Sequence, residues 1–348
     1  MLQTAFLLAW ILTWQQQQQH SVAHAFIMVP RQSQQRTHSH HLHATDSDIV
    51  REKIESLLSI LSSAATNTKQ TQNNNNNTTV VHLLGTGITG SLLDMPLSSL
   101  QLLSQADVVL YDALSLSLQD IGRVVRSDCI LRSVGKRGGN PTSVLQSDID
   151  TLLVKYATEL PAGSTIIRLK GGDPLLFGRA RTEVDALRAS GTCYTIVPAL
   201  TSCVAGPHFA GIPLTDPVLN CQSFAVFSGT RADKSSLGQE SGTTSTGGSS
   251  SRDWSQLEVD AMVFLMIGEL GKLEALCNRL VTSGGDKWTG DTPCAVVQSA
   301  GRMEQRVFRG TLHTQVETIK QELGAQSNSV SPAILVVGQV AALNLLES

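Results

Sequence analysis

Asp112 closes the apolar run ADVVLYD, and two glycine turns rich in cations follow it in the chain, GKRGGN at 135–140 and IIRLKGGDPLLFGRA at 166–180. A carboxylate at the end of a strand-like run can accept a proton in a reaction; it can equally cap a helix or close a turn. Gly171 and Gly172 before Asp173-Pro174 make a sharp turn whose backbone N–H groups stay free and whose surface carries no Cβ. Arg168, Lys170, Arg179 and Arg181 place four cations within fourteen residues of that turn. Guanidinium and ammonium groups bind carboxylates and phosphates. One basic turn is ordinarily a solvated loop, whereas two at strand ends point to an anionic ligand.

These residues need strands to carry them. From residue 79 the pattern runs strand, glycine turn, helix (96–105), strand (107–111), helix, strand (130–134), helix (144–158) and strand (164–169). Such alternation predicts βαβ units and a mainly parallel sheet, with ligands at the carboxyl ends of the strands. The later half carries VDAMVFLM, a helix over 270–283, TPCAVVQ and SPAILVVGQV, which reads as a second α/β region with several antiparallel strands. The first turn, HLLGTGITG at 82–90, has the G-x-G-x-x-G spacing of a dinucleotide loop, and Asp112 stands about where a ribose-binding acid belongs. Ser91 to Met95, however, separate the loop from a helix opening at Pro96, which removes the helix N-terminus from a pyrophosphate. A plain strand-to-helix turn explains the glycines as well.

Composition narrows the classes further. A net charge of −3 with 16% charged residues provides no field for nucleic acid or an anionic membrane surface. The six cysteines lack metal-ligand spacing, so neither a zinc site nor a disulfide framework is expected. Residues 79–348, about 270 residues, suffice for two domains: 79–198, and 199–348 with a polar insertion at 238–254. Residues 46–78 read as an amphipathic helix over 46–64 followed by an Asn-rich linker. Residues 1–45 contain no Asp or Glu, and TAFLLAWILTW followed by Ala23-His24-Ala25 has the form of a signal-peptide core and cleavage site. With the Arg-, Ser- and His-bearing stretch after it, this segment resembles the bipartite plastid-targeting leader of algae with secondary plastids; plain secretion is the alternative.

VHLLGTG, LLSQADVVLYDAL, VGKRGGN, IIRLKGGDPLLFGR, VPALTS, FAGIPLT, MVFLM, QSAGRMEQRV and SPAILVVGQV occur in this order between about residues 80 and 343. In that order they resemble the tetrapyrrole methylases. The resemblance implies a two-domain α/β fold, with a mainly parallel N-terminal sheet, a mixed C-terminal sheet and a ligand cleft between them. It implies S-adenosylmethionine as methyl donor, no metal, and homodimers. Within the family the closest likeness is to members that methylate uroporphyrinogen III at two ring carbons to give precorrin-2. A methylase of a later precorrin, a nucleotide-binding redox or regulatory module, and an inactive paralogue are the other readings.

By the same resemblance Asp112 is the proton acceptor and Lys136 the proton donor. Gly85, Gly87, Gly171, Gly172, Asp173, Leu176, Thr201, Ser202, Met266 and Ala300 hold the methyl donor. Arg137, Arg168, Lys170, Arg179 and Arg181 are expected to bind the carboxylates of the substrate. The first loop departs from the family's GAGPGDP: Ile88-Thr89-Gly90-Ser91 lacks the Pro and the Asp and is one residue longer.

Overall fold

Parallel strands covered on both faces read as nearly unbroken apolar runs, and the strands of the first half do. β1 (Val80–Gly85), β2 (Val108–Asp112), β3 (Ile130–Gly135), β4 (Thr165–Lys170) and β5 (Cys193–Val197) form one sheet in the order β3-β2-β4-β1-β5. Every neighbouring pair is parallel, so all five carboxyl ends lie along one edge. The chain was analysed as a computed structural model that describes residues 56, 78–135, 144–229, 253–324 and 326–347. The leader, nearly all of the 46–78 segment, Lys136, Arg137 and most of the 238–254 insertion lie outside those residues.

Helices α1 (Leu97–Ser104) and α2 (Leu118–Gly122) cover one face of the first sheet, where Leu103 and Ile121 pack with Leu84, Val109, Ile167 and Leu169. Helices α3 (Gln146–Glu159) and α4 (Ala180–Ala189) cover the other, where Ile149, Leu153, Val184 and Leu187 meet Val81, Leu83, Val108, Leu110 and Ile166. Side chains alternate along a strand, so Arg168 and Lys170 share the α3/α4 face with Ile166. That alternation decides what the two cations touch.

The second sheet contains β6 (Phe224–Ser228), β7 (Ala261–Glu269), β8 (Pro293–Gln298), β9 (Arg306–Thr311) and β10 (Ser329–Val337) in the order β6-β7-β10-β8-β9. β6 and β7 are parallel and the other pairs antiparallel, so the expected contrast between a parallel first sheet and a mixed second one holds. Helix α5 (Ser202–Phe209) lies before β6 in the chain; Cys203 within it packs on one face of this sheet with Val263, Val297 and Val336. α6 (Leu270–Ser283) and α7 (Gln315–Leu323) cover the other, burying Leu273, Leu280 and Ile319 against Phe264, Val296 and Leu335. Trp254, the last residue of the polar insertion, lies next to Asp253, where the described chain resumes. Its ring meets Phe227 edge-on at 5.1 Å and Phe264 at 5.7 Å, an arrangement favoured by the aromatic quadrupole.

On β1 the His82 Nδ1 lies 2.7 Å from the Thr195 hydroxyl of β5, and burial lowers the imidazole pKa from its ordinary 6.5. The unfolded chain therefore binds a proton there before the folded one does. The stability contributed by neutral His82 is complete above pH 6.5 and is lost as pH falls through the lower folded value. The unfolding midpoint should drop between pH ~7 and pH ~5, and His82→Asn should reduce that drop. An identical drop in the variant, measured by thermal denaturation, would remove His82 from the explanation.

Candidate active site

β1 and β4 run side by side up to Gly85 and Lys170, and their pairing continues past the strands into both glycine turns. Thr86 donates its N–H (2.9 Å) and its hydroxyl (3.2 Å) to the Lys170 carbonyl. Gly172 donates its N–H to the Gly87 carbonyl at 2.7 Å, so this amide is not free as the sequence suggested, because pairing with the first loop claims it. This approach leaves no room for a side chain on Gly85, and the segment after β2 leaves none on Gly171. A Cβ on Gly85 would stand 2.6 Å from the Gly172 carbonyl oxygen, and one on Gly171 would stand 2.8 Å from that of Leu114. Gly172 differs: its φ of +71° is the left-handed conformation that glycine adopts without strain, and a Cβ there would have nothing within 4 Å. The turn is packed on one side and open on the other.

Asp173 holds this turn to the next loop. Its Oδ1 accepts the N–H groups of Leu175 (2.8 Å) and Leu176 (3.3 Å), and its Oδ2 accepts that of Ala199 at 3.3 Å. VPALTS is thereby fixed beside the turn, which brings Thr201, whose carbonyl starts α5, and Ser202, the first residue of that helix, close in the chain to the tethered Ala199. Phe177 (φ 57°) and Arg179 (φ 55°) are non-glycine residues in the left-handed region, a costly conformation at two positions of one short loop. Leu176, Phe177 and Arg179 are exposed.

The first glycine loop closes on Asp94. Oδ2 of this residue accepts the N–H of Ile88 (2.9 Å) and of Thr89 (2.7 Å), so a carboxylate from the 3₁₀ turn Leu92–Asp94 satisfies the loop that lacks the family's own Asp. From the second lobe, Arg302 donates Nε to the Ile88 carbonyl at 3.3 Å, and a cavity of about 530 Å³ opens there, lined by Thr89, Asp94, Phe209, Gly301 and Arg302 among others. Ala300 is half-buried at this junction and packs on the second core. Met266 lies on β7.

Asp112 performs a turn role and meets a cation as well. Its Oδ1 accepts the Leu114 N–H at 3.2 Å, while Oδ2 stands 3.5 Å from Nη2 of Arg168, with the Asp112 side chain 27% exposed. Gly135, where GKRGGN begins, pairs with Asp112 in the β2–β3 register. The cations expected to meet a substrate are disposed differently from one another. Arg181 is exposed and paired with Asp185 on its own helix. Arg168 and Lys170 are buried with side chains 4% exposed, and both are held by Glu183, which is fully buried on α4. Within the protein their charge is already balanced, by Glu183 and Asp112. Burial, followed by the neighbouring Arg168, lowers the Lys170 pKa, against the opposing pull of Glu183.

Asp94 and Glu183 were not singled out in the sequence. Asp94 sits in a loop of altered length, where spacing carries no signal. Glu183 could have been found, because Ile166, Arg168 and Lys170 share the face on which the next helix packs. Asp94→Ala should leave two half-buried N–H groups without an acceptor, costing about 1–3 kcal/mol and raising hydrogen exchange at Ile88 and Thr89. Unchanged exchange at both amides would show that the loop closes without this carboxylate.

Residues 80–315 match the family described as Tetrapyrrole (Corrin/Porphyrin) Methylases. The uroporphyrinogen-III C-methyltransferase of Synechococcus elongatus is 34% identical over 264 residues, covering 76% of this chain and 94% of that protein. A siroheme synthase of Photorhabdus laumondii is 35% identical over 72% of this chain, which spans only 47% of that longer protein. The chain thus spans about half the length of the siroheme synthases it matches. The crystal structure of the Thermus thermophilus uroporphyrin-III C-methyltransferase, complexed with S-adenyl homocysteine, aligns with a TM-score of 0.54 at 28% identity, over 75% of this chain and 97% of that one. With two α/β lobes, stitched glycine turns at the carboxyl edge and a family match across most of its described length, this chain belongs to the tetrapyrrole methylases.

Proposed function

We propose that this protein methylates uroporphyrinogen III at two ring carbons, with S-adenosylmethionine as donor, and that the product is precorrin-2, on the route to siroheme and corrinoids. The observation that carries the reading is the Gly171-Gly172 turn: glycine on its packed side, open space on the other, and Gly172 in a conformation that exposes backbone rather than side chain. A flat nucleoside can approach such a surface without meeting a Cβ. The similarity to the Synechococcus and Thermus enzymes supports both the donor and the acceptor.

S-adenosylmethionine supplies an already activated methyl group, which leaves this chain to position the acceptor carbon and to receive a proton. Positioning reactants in near-attack geometry lowers the barrier by removing motional freedom. The proton shed as the pyrrole donates electrons needs a base at a strand end open to the cleft edge, and the partly exposed Asp112 carboxylate stands there. Its Oδ1 bond to Leu114 and the Arg168 guanidinium beside Oδ2 hold the carboxylate in one orientation. Leu114, whose carbonyl abuts Gly171, links this base to the glycine turn.

Incubation with uroporphyrinogen III and S-adenosylmethionine should raise the tetrapyrrole mass by two methyl groups. An unchanged mass, with methylation of a later precorrin instead, would contradict the substrate. Asp112→Asn keeps the side-chain volume and removes the base, so kcat should fall by about 10²–10⁴ while S-adenosylhomocysteine affinity changes little. Gly172→Asn retains a residue tolerant of positive φ but fills the open side. S-adenosylhomocysteine affinity should then fall on the order of 10-fold or more in a protein that still folds. Wild-type affinity would place the donor elsewhere.

A further inference from the structure

We propose that Glu183 is a positioning residue for this reaction, holding Arg168 in the one orientation that presents its guanidinium to Asp112. The inference rests on the methyltransferase reading above. Glu183 is the innermost member of a charge chain running outward to the candidate base. Its Oε1 accepts from Arg168 Nε at 3.1 Å, and both of its oxygens accept from Lys170 Nζ at 2.8 Å. Gln146 Nε2 completes the shell at 3.4 Å from Oε1. Arg168 then has each edge assigned: Nε to Glu183, Nη1 to the Leu169 carbonyl at 2.6 Å, and Nη2 facing Asp112 Oδ2 at 3.5 Å. A planar fork fixed at two edges aims its third.

Charge reinforces the geometry. Arg168 and Lys170 against Glu183 and Asp112 make a balanced set of four, three of them with side chains at most 4% exposed and Asp112 alone at 27%. Replacing a buried ion pair as a whole with apolar residues of the same volume is often neutral for stability, so folding alone gives little reason for the Lys170–Glu183 pair, although Glu183 is needed as a counter-ion while the cations are there. Without the Glu183 carboxylate, Arg168 loses the Nε anchor, and its guanidinium is free to turn away from Asp112.

The test compares the wild type, Glu183→Gln, and the double variant Lys170→Met with Glu183→Leu, for folding, kcat and KM with uroporphyrinogen III. The double variant leaves no uncompensated charge at this site. It should fold with a melting temperature near that of the wild type, yet lose roughly 10- to 100-fold in kcat, as misplacement of a reacting group does, with KM unchanged. Glu183→Gln keeps an oxygen acceptor for Nε, so it should recover part of kcat. Wild-type kcat in the stable double variant would show that Glu183 serves only to balance Lys170. A rise in KM at constant kcat would assign the cluster to substrate binding. Either result overturns the proposal. Should the double variant fail to fold, Glu183→Gln decides alone, and wild-type kcat there overturns it. Absence of methylation by the wild type itself would instead refute the functional reading, a separate outcome in the same assay.

Discussion

The hydrogen bond from Gly172 N–H to the Gly87 carbonyl, 2.7 Å long, is the constraint on which the candidate site depends. It extends the β1–β4 pairing beyond the sheet and forces two loops together at the carboxyl edge. Three glycines follow from it. Gly85 must lack a Cβ because the Gly172 carbonyl occupies the space, while Gly171 is excluded separately by the carbonyl of Leu114 after β2. Gly87 and Gly172 must take positive φ to turn the chain back. A G-x-G-x-x-G loop in a dinucleotide enzyme uses its glycines to bring a helix N-terminus to a pyrophosphate. Here Pro96 starts α1 well beyond the loop, and the glycines serve loop-to-loop packing instead.

Electrostatics at the same edge follow from strand alternation. β4 delivers Ile166, Arg168 and Lys170 to one face, and the helix that follows the glycine turn must cover that face. Two cations in an otherwise apolar layer would be costly without a counter-ion, and Glu183 provides it at hydrogen-bond distance. Basic residues close in sequence are therefore not equivalent. Arg181 lies at the surface with Asp185, while Arg168 and Lys170 form part of the interior and Arg168 faces outward to Asp112.

Much of this was legible in the sequence, for physical reasons. Buried parallel strands are long apolar runs, and glycine turns at their ends mark the ligand edge, so the two-sheet α/β organisation could be read directly, whereas Gly85 and Gly87 were joined to Gly171, Gly172 and Asp173 only through the family resemblance. The destination of Arg168 and Lys170 was less legible, because type and local spacing suggest a ligand while the partner lies on the next helix. Asp173 was expected to hold the methyl donor, and its oxygens accept three backbone N–H groups within the turn and the loop beside it. Asp94 could not be read at all: it lies outside the glycine spacing, and only the folded backbone shows that its Oδ2 reaches Ile88 and Thr89.

The most direct measurement is a crystal structure of this chain with S-adenosylhomocysteine. The ligand should lie against the open side of Gly172, flanked by the 199–202 loop, with contacts to backbone atoms of the glycine turn. Binding along the Gly85–Gly90 loop in the manner of a dinucleotide, or at a position that leaves the Gly172 surface bare, would contradict the central claim.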